Sequence, residues 1–343
     1  MLGMENKITV IVCTYNQEKT IGRTLDSILM QRCHVPVDIL IGEDCSQDGT
    51  LSVCREYAER YPERIRVIAN AENKGVLDNY FDCIFQATGR YIADCAGDDF
   101  WIDPLKLEKE LAVMEANDDV GIVHTDWQRY VETTREVLPS PKACNEERLV
   151  SGTELLEDIL TQTTRPVIHL CTSLYRTDWI RKAHDENVTF FRNREYPCED
   201  VQTAFFLAKM GKVAYLTDVT VNYSQTESIS QSATSDKLFR FYLRAGQLDY
   251  DLASTFNLLT PRVKAFLQYR IYELLMHAFR SESTAMRAES LALLNRWGTK
   301  KSTRISALEL VTANKITWKT LAAVRRFIIK CRKLRYKRYY HGK

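Results

Sequence analysis

The chain has 343 residues, 45% hydrophobic and 27% charged, with a formal net charge of +2. This is the balance of a globular protein and excludes a disordered, collagen-like or disulfide-scaffold chain. No apolar run reaches the ~18 residues of a transmembrane helix, and the opening "MLGMENKITV" lacks the apolar centre of a secretory signal.

"ITVIVCTYN" (8–16) is a continuous β-branched run, the mark of a buried parallel strand. A helix is expected over roughly 18–31. "VDILIGEDCS" (37–46) is a second strand that ends in acid, and "DGTLSVCREYAERYP" (48–62) a helix with Asp48 near its cap. "RIRVIAN" (64–70) is a third strand. "KGVLDNYFDCIFQATG" (74–89) reads as a helix closed by Gly89, and "RYIADCA" (90–96) as a fourth strand. Asp103-Pro104 is placed to start the helix "LKLEKELAVMEAN". Further strands are expected at 120–131 and 168–176, and after about residue 236 the pattern is helical. Strands alternating with helices at this spacing mean an α/β protein built on a mostly parallel sheet. No Gly-x-Gly-x-x-Gly follows the first strand, which argues against a dinucleotide fold.

Ten cysteines, at 13, 33, 45, 54, 83, 95, 144, 171, 198 and 331, form no Cys-x-x-Cys, and no Cys/His set has zinc-site spacing. They read as reduced thiols of a cytoplasmic protein.

Acids collect where the early strands should end: Asp44 after the second, Asp98 and Asp99 after the fourth, with Asn73 after the third. Ligands of open parallel sheets bind outside the carboxyl ends of the strands, so these residues should converge. Hard carboxylate oxygens there suit Mg²⁺ or Mn²⁺ with a substrate diphosphate. Taken alone, Asp98-Asp99 is also an ordinary turn sequence.

The motifs "VIVCTYNQEKTIGRTLDSIL", "IGEDCSQDGT", "NKG" and "GRYIADCAGDDFWIDPLKLEKE" together resemble the family 2 glycosyltransferases, with a weaker match through residues 196–230. The resemblance implies the GT-A fold: a Rossmann-like, mostly parallel sheet flanked by helices, followed here by a helical C-terminal region. It implies an inverting transfer from a nucleotide sugar, most simply a UDP-sugar, to a glycan or lipid-linked glycan acceptor. It places Thr14, Tyr15, Asn16, Glu18, Asp44, Asn73 and Lys74 on the nucleotide, and Asp98 on the metal and diphosphate with Asp99 beside it. Asp200 would be the catalytic base, with Glu199 next to it.

Two departures stand out. Ala96 occupies the first acidic position of the family's Asp-x-Asp motif, and the late Tyr-Arg-x-His pattern reads "YSQT", with Ser224 and Thr226. They leave a catalytically inactive nucleotide-sugar-binding protein as one alternative. A sugar-1-phosphate nucleotidyltransferase is another, disfavoured because "CTYNQEKT" is not a Gly-rich phosphate loop. Asp200 could also serve only as a helix-terminal charge. Phe100 and Trp101 are expected in the core under the turn, and His124 and His169 as core histidines.

From Lys315 onward there are eleven Lys or Arg and no Asp or Glu, against 36 basic and 45 acidic residues before it. Leu321, Val324, Ile328, Cys331 and Leu334 fall on one helical stripe, with Trp318, Tyr336, Tyr339 and Tyr340 nearby. This is the composition of a helix on an anionic membrane surface; the bland alternative is a helix docked on the protein. The expected divisions are 1–235 for catalysis, 236–314 helical and 315–343 a basic amphipathic tail, at the cytoplasmic side of the cell membrane. Nothing resembles a nucleic-acid module.

Overall fold

The computed structural model describes residues 5–140, 144–225, 234–314 and 316–325. The chain divides into two compact units, Met1–Thr226 and Glu227–Lys343. In the first, the order is β1 (Glu5–Thr14), α1 (Ile21–Leu29), β2 (Val37–Glu43), α2 (Thr50–Arg60), β3 (Ile65–Ala69), α3 (Val76–Gln86), β4 (Gly89–Asp94), β5 (Phe100–Trp101), α4 (Lys106–Ala116), β6 (Val120–Val131), β7 (Glu136–Pro139), β8 (Arg148–Ser151), α5 (Gly152–Leu160), β9 (Ser173–Arg176), α6 (Thr177–Glu186), α7 (Val188–Phe191), α8 (Asp200–Met210) and β10 (Lys212–Gln225).

The sheet runs β3-β2-β1-β4-β9-β6-β10-β5. Ile8, Val10, Ile11 and Val12 are all buried, so β1 is covered on both faces, as a central parallel strand must be. β1 pairs in parallel with β2 and β4, and β2 with β3. The parallel half expected from the sequence is therefore present. The other half is mixed: β6 and β10 are parallel, but β9 runs antiparallel between β4 and β6. β9 is also shorter than the strand expected over 168–176. Leu170–Thr172 is instead a 3₁₀ turn, because the Thr172 amide and hydroxyl both donate to the His169 carbonyl, at 3.0 and 2.7 Å.

Gly89 does not close α3; it opens β4. A Cβ there would lie 2.7 Å from both the Lys7 carbonyl oxygen and the Thr9 nitrogen, so β1 and β4 can meet only at a glycine. Likewise α4 begins at Lys106 rather than at Pro104. The Asp103 carboxylate accepts from the Leu105 amide at 2.9 Å and from Lys109 Nζ at 2.7 Å, ahead of the first turn.

The second unit contains α9 (Ser235–Thr255), α10 (Pro261–Ser281), α11 (Thr284–Arg296) and α12 (Thr303–Ala313). Thr234, Thr260, Ser283 and Ser302 each cap the helix that follows by accepting an amide hydrogen bond. Helical residues 316–325 of the tail belong to this unit. Trp318 and Ala322 are buried with Phe279, and the Trp318 indole donates to the Phe279 carbonyl at 3.0 Å. That corrects the headgroup role expected for Trp318, since its ring and its N–H are both satisfied within the protein. Leu321 and Val324 remain exposed. Ile328, Cys331, Leu334 and Tyr336, Tyr339 and Tyr340 lie outside the described residues.

Candidate functional site

α1 grips the turn that follows β4. Thr20, Arg23, Thr24 and Ser27 stand at i, i+3, i+4 and i+7, one face of a helix. Thr20 Oγ1 donates to the Gly97 carbonyl at 2.8 Å, Arg23 Nη2 to the Asp98 carbonyl at 3.1 Å and Thr24 Oγ1 to the Asp99 carbonyl at 2.6 Å. Ser27 Oγ accepts from the Trp101 amide at 3.0 Å. Gly97 has no room for a side chain, because a Cβ would fall 2.3 Å from Gln17 Oε1 and 2.7 Å from Thr14 Oγ1. Every residue from 97 to 101 except Phe100 is thereby held through its backbone.

The two acids of the turn have different fates. Asp98 is half-exposed and Ala96 beside it exposed. Asp99 is buried and turned inward, accepting the Ser224 amide at 2.8 Å. Burial, with the charge of Asp98 added, pushes its carboxyl well above the usual range. Asp99 thus joins the turn to β10 and does not stand at the surface as a partner to Asp98. Trp101 is buried as expected, and its indole donates to the Cys171 carbonyl at 3.0 Å. Phe100 is half-buried and lies under the Arg23 guanidinium, 4.1 Å from its centre.

At the ends of β1 and β2 the expected nucleotide residues meet, but several side chains bind one another. Thr14 Oγ1 donates to Gln17 Oε1 at 2.8 Å. Asn16, at φ 54°, donates its amide to Ser46 Oγ and accepts the Gln47 amide. Glu18 and Asp48 exchange bonds across the two loops: Gly49 donates to Glu18, and the Glu18 amide to Asp48, both at 3.2 Å. Tyr15 is exposed. Asp44 is 4% exposed and accepts from Asn70 Nδ2 and the Lys74 and Gly75 amides at 3.0, 2.9 and 2.9 Å. Asn73 Nδ2 donates to the Asp44 carbonyl at 3.1 Å. Asp44, Asn73 and the backbone of Lys74 therefore form one unit, while Lys74 Nζ turns away to Asp82 at 2.8 Å.

Asp200 opens α8 without capping it. Its Oδ1 accepts the Leu170 amide at 3.0 Å, across 30 residues of chain. Glu199 lies behind it. Burial and then the Asp200 charge push the Glu199 carboxyl well above its usual range, and its Oε2 has no partner among the described residues. Asp94 is deeper still, accepting from the Tyr175 and Tyr80 hydroxyls at 2.6 and 3.2 Å, with burial raising its carboxyl to about 7. The charges of Asp99, Asp200 and Asp98 all bear on the Tyr223 phenol, which burial drives well above its normal range. Asp98 and Asp200, 102 positions apart in the chain, thus both act electrostatically on one phenol.

Sequence reasoning missed two parts of this site. His169, expected in the core, is half-buried and stacks on Tyr223 at 4.9 Å, with Trp127 edge-on at 4.8 Å. Burial lowers its pKa against the opposing Asp200 charge, which leaves the imidazole neutral. The second is Arg23. Its guanidinium pairs with both Glu132 oxygens, at 2.5 and 3.3 Å, and reaches Ser224 Oγ at 3.3 Å. The position emptied of a basic side chain at Ser224 is therefore flanked by a cation from α1. The polar spacing at 20, 23, 24 and 27 was the visible signal. Thr226 lies outside the described residues.

Residues 9–183 match the family model described as glycosyl transferase family 2. Over 115 residues the chain is 38% identical to an uncharacterized protein of Mycobacterium tuberculosis, covering 34% of this chain and 33% of that protein. Over 110 residues it is 31% identical to the Escherichia coli UDP-Glc:alpha-D-GlcNAc-diphosphoundecaprenol beta-1,3-glucosyltransferase WfgD, covering 32% and 42%. The chain thus spans about a third of the length of the curated relatives it matches first. In fold it is similar to Staphylococcus aureus TarS 1–349 solved with UDP-GlcNAc, with a TM-score of 0.55 at 16% identity, over 93% of this chain and 91% of that one. The family match covers half of the chain, and its motifs are those that line the carboxyl edge of the sheet: the protein belongs to glycosyl transferase family 2.

Proposed function

We propose that this protein transfers a sugar from a nucleotide sugar, of the UDP type, to a hydroxyl of a glycan acceptor, with inversion at the anomeric carbon. The observation that carries the reading is the link between the turn bearing Asp98, held by Arg23, and Asp200: the Trp101 indole donates to the Cys171 carbonyl and the adjoining Leu170 amide donates to Asp200. Asp200 rests on one backbone N–H and keeps lone pairs for a substrate hydroxyl. It takes that proton as the acceptor oxygen bonds to the anomeric carbon and the bond to the diphosphate breaks. Burial raises the Glu199 and Asp94 carboxyls, which favours Asp200 over them as the base. Asp44 holds the β3–α3 loop against the nucleoside, with Tyr15 the exposed ring beside it.

The donor set fits a hard divalent cation, Mn²⁺ or Mg²⁺. Asp98 offers one half-exposed carboxylate, the number such ions take when phosphates supply the rest, and the acids around it favour added positive charge. When bound, the ion would act as a Lewis acid toward the departing diphosphate. Arg23 supports that turn and supplies the cationic charge that Ser224 does not. The test is turnover by the purified full chain of a panel of UDP-, GDP-, CDP- and dTDP-sugars with Mn²⁺. UDP-sugars should be consumed; a folded chain that consumes none of the panel favours the inactive binding protein.

The sugar acceptor is, on this reading, a lipid-linked glycan of a surface polysaccharide, met at the cytoplasmic face of the membrane. WfgD acts on a diphosphoundecaprenol-linked sugar. No helix among the described residues is long and apolar enough to cross a membrane, so attachment rests on the basic tail. Eight of its eleven cations follow Arg325, each contributing about 1 kcal/mol near an anionic leaflet. Ending the chain after Arg325 keeps Trp318 and Ala322 in the core. It should abolish sedimentation with anionic vesicles at physiological salt and leave UDP-sugar hydrolysis intact. Undiminished sedimentation of the shortened chain would remove the membrane from this account.

A further inference from the structure

Cys33 and His34 follow α1 and Glu108 stands in the first turn of α4, and no step proposed above uses them. The three offer a sulfur, a nitrogen and a carboxylate oxygen that all lie within 4.8 Å of one another. His34 Nδ1 is 2.9 and 3.1 Å from the two Glu108 oxygens, and the His34 amide donates to Glu108 at 3.0 Å. On the other side of the ring, Nε2 lies 3.4 Å from Glu115. We propose that Cys33, His34 and Glu108 form a second metal site, selective for Zn²⁺ and similar borderline ions, with Glu115 holding the imidazole from behind.

The geometry fits the chemistry. Around tetrahedral zinc, sulfur, nitrogen and oxygen ligands stand roughly 3.3–3.8 Å apart, so the donors need only small rotations to close on an ion. A metal-bound histidine ordinarily gives its other N–H to a carboxylate, which fixes the tautomer; Glu115 is placed for that bond. The Cys33 thiol would lose its proton to solvent on binding, and a water would complete four ligands.

The segment is fixed without any ion. The Arg32 amide donates to the Pro104 carbonyl at 2.9 Å. Gln31 donates to the Asp103 carbonyl at 2.8 Å and accepts the Leu107 amide at 3.2 Å. The loop after α1 is thereby docked on the start of α4 before metal arrives, which lowers the ordering cost of binding. Ion pairing of an exposed histidine accounts for Glu108 and Glu115 but contributes little, and the Cys33 thiol, hydrogen-bonded to Glu108, adds a soft donor to the same cluster. Softness separates this site from Asp98: thiolate and imidazole prefer Zn²⁺, Co²⁺ or Cu²⁺, whereas a lone carboxylate with phosphates suits Mg²⁺ or Mn²⁺.

The probe is Co²⁺, titrated into the chelator-treated full chain and followed by absorption. One equivalent should give visible bands of a four-coordinate ion and a near-ultraviolet thiolate-to-cobalt band, displaced by Zn²⁺ and untouched by excess Mg²⁺. Cys33→Ser should abolish the near-ultraviolet band; Cys45→Ser and Asp98→Ala should leave it unchanged. Glu115→Gln should keep the band and weaken binding about tenfold. All these positions are partly or fully exposed, and circular dichroism checks folding in each variant. Absence of the thiolate band at one equivalent, or its survival in folded Cys33→Ser, would overturn the proposal. Neither result bears on sugar transfer, which is measured separately with Mn²⁺.

Discussion

Asp98→Ala should leave a folded chain that no longer binds UDP in a Mn²⁺-dependent way and whose turnover falls by about 10²–10³-fold. The fold should survive because the turn is held through its backbone. Its backbone is fixed by Thr20, Arg23 and Thr24 on α1, and by the Trp101 amide on Ser27. The function should not survive, because Ala96 leaves no second exposed acid in the motif and Asp99 is engaged with the Ser224 amide. Calorimetry with UDP, with and without Mn²⁺, is the measurement. Unchanged Mn²⁺-dependent affinity in a folded variant would move the cation elsewhere.

Asp200→Asn should separate binding from chemistry. The asparagine carbonyl oxygen can still accept the Leu170 amide, so the 3₁₀ turn and the start of α8 keep their relation. The amide cannot accept the acceptor proton, and turnover should fall by about 10²–10⁴-fold with donor affinity retained. Glu199 is the carboxylate to test next, since burial still raises its carboxyl in this variant although the Asp200 charge no longer does. Near-normal turnover would show that Asp200 is not the base.

The parallel half of the sheet and the acids at its edge were legible because both depend on local pattern. Continuous apolar runs mark strands buried on two faces; Asp44 directly follows one such strand and Asp98 lies in the turn after another, while Asp200 opens a helix. What escaped was set by distant partners. Whether β9 would run antiparallel depended on how residues 161–172 return to the sheet, which no periodicity encodes. Arg23 looked like one polar position in an amphipathic helix; its meaning comes from Glu132 and Ser224, 109 and 201 positions away. The neighbourhood of Cys33 and His34 was likewise hidden, since Glu108 reaches His34 from 74 positions on. Trp318 illustrates the converse: an aromatic beside cations suits a lipid interface by composition, yet Phe279 and Ala322 enclose it.

The indole of Trp101 has one more implication. Its N–H ends on the Cys171 carbonyl, and one residue earlier the Leu170 amide ends on Asp200. Two hydrogen bonds and a single peptide unit thus form a strut from the turn bearing Asp98 to the carboxylate assigned to the acceptor. A strut transmits displacement in both directions. On the proposed roles, a shift of the turn as a donor docks would be passed to Asp200, so that loading one substrate would set the aim of the group that activates the other. Acceptor KM should then differ between donors that seat the turn differently, even though no acceptor atom touches it; an acceptor KM identical across donors would mean that the strut carries no load.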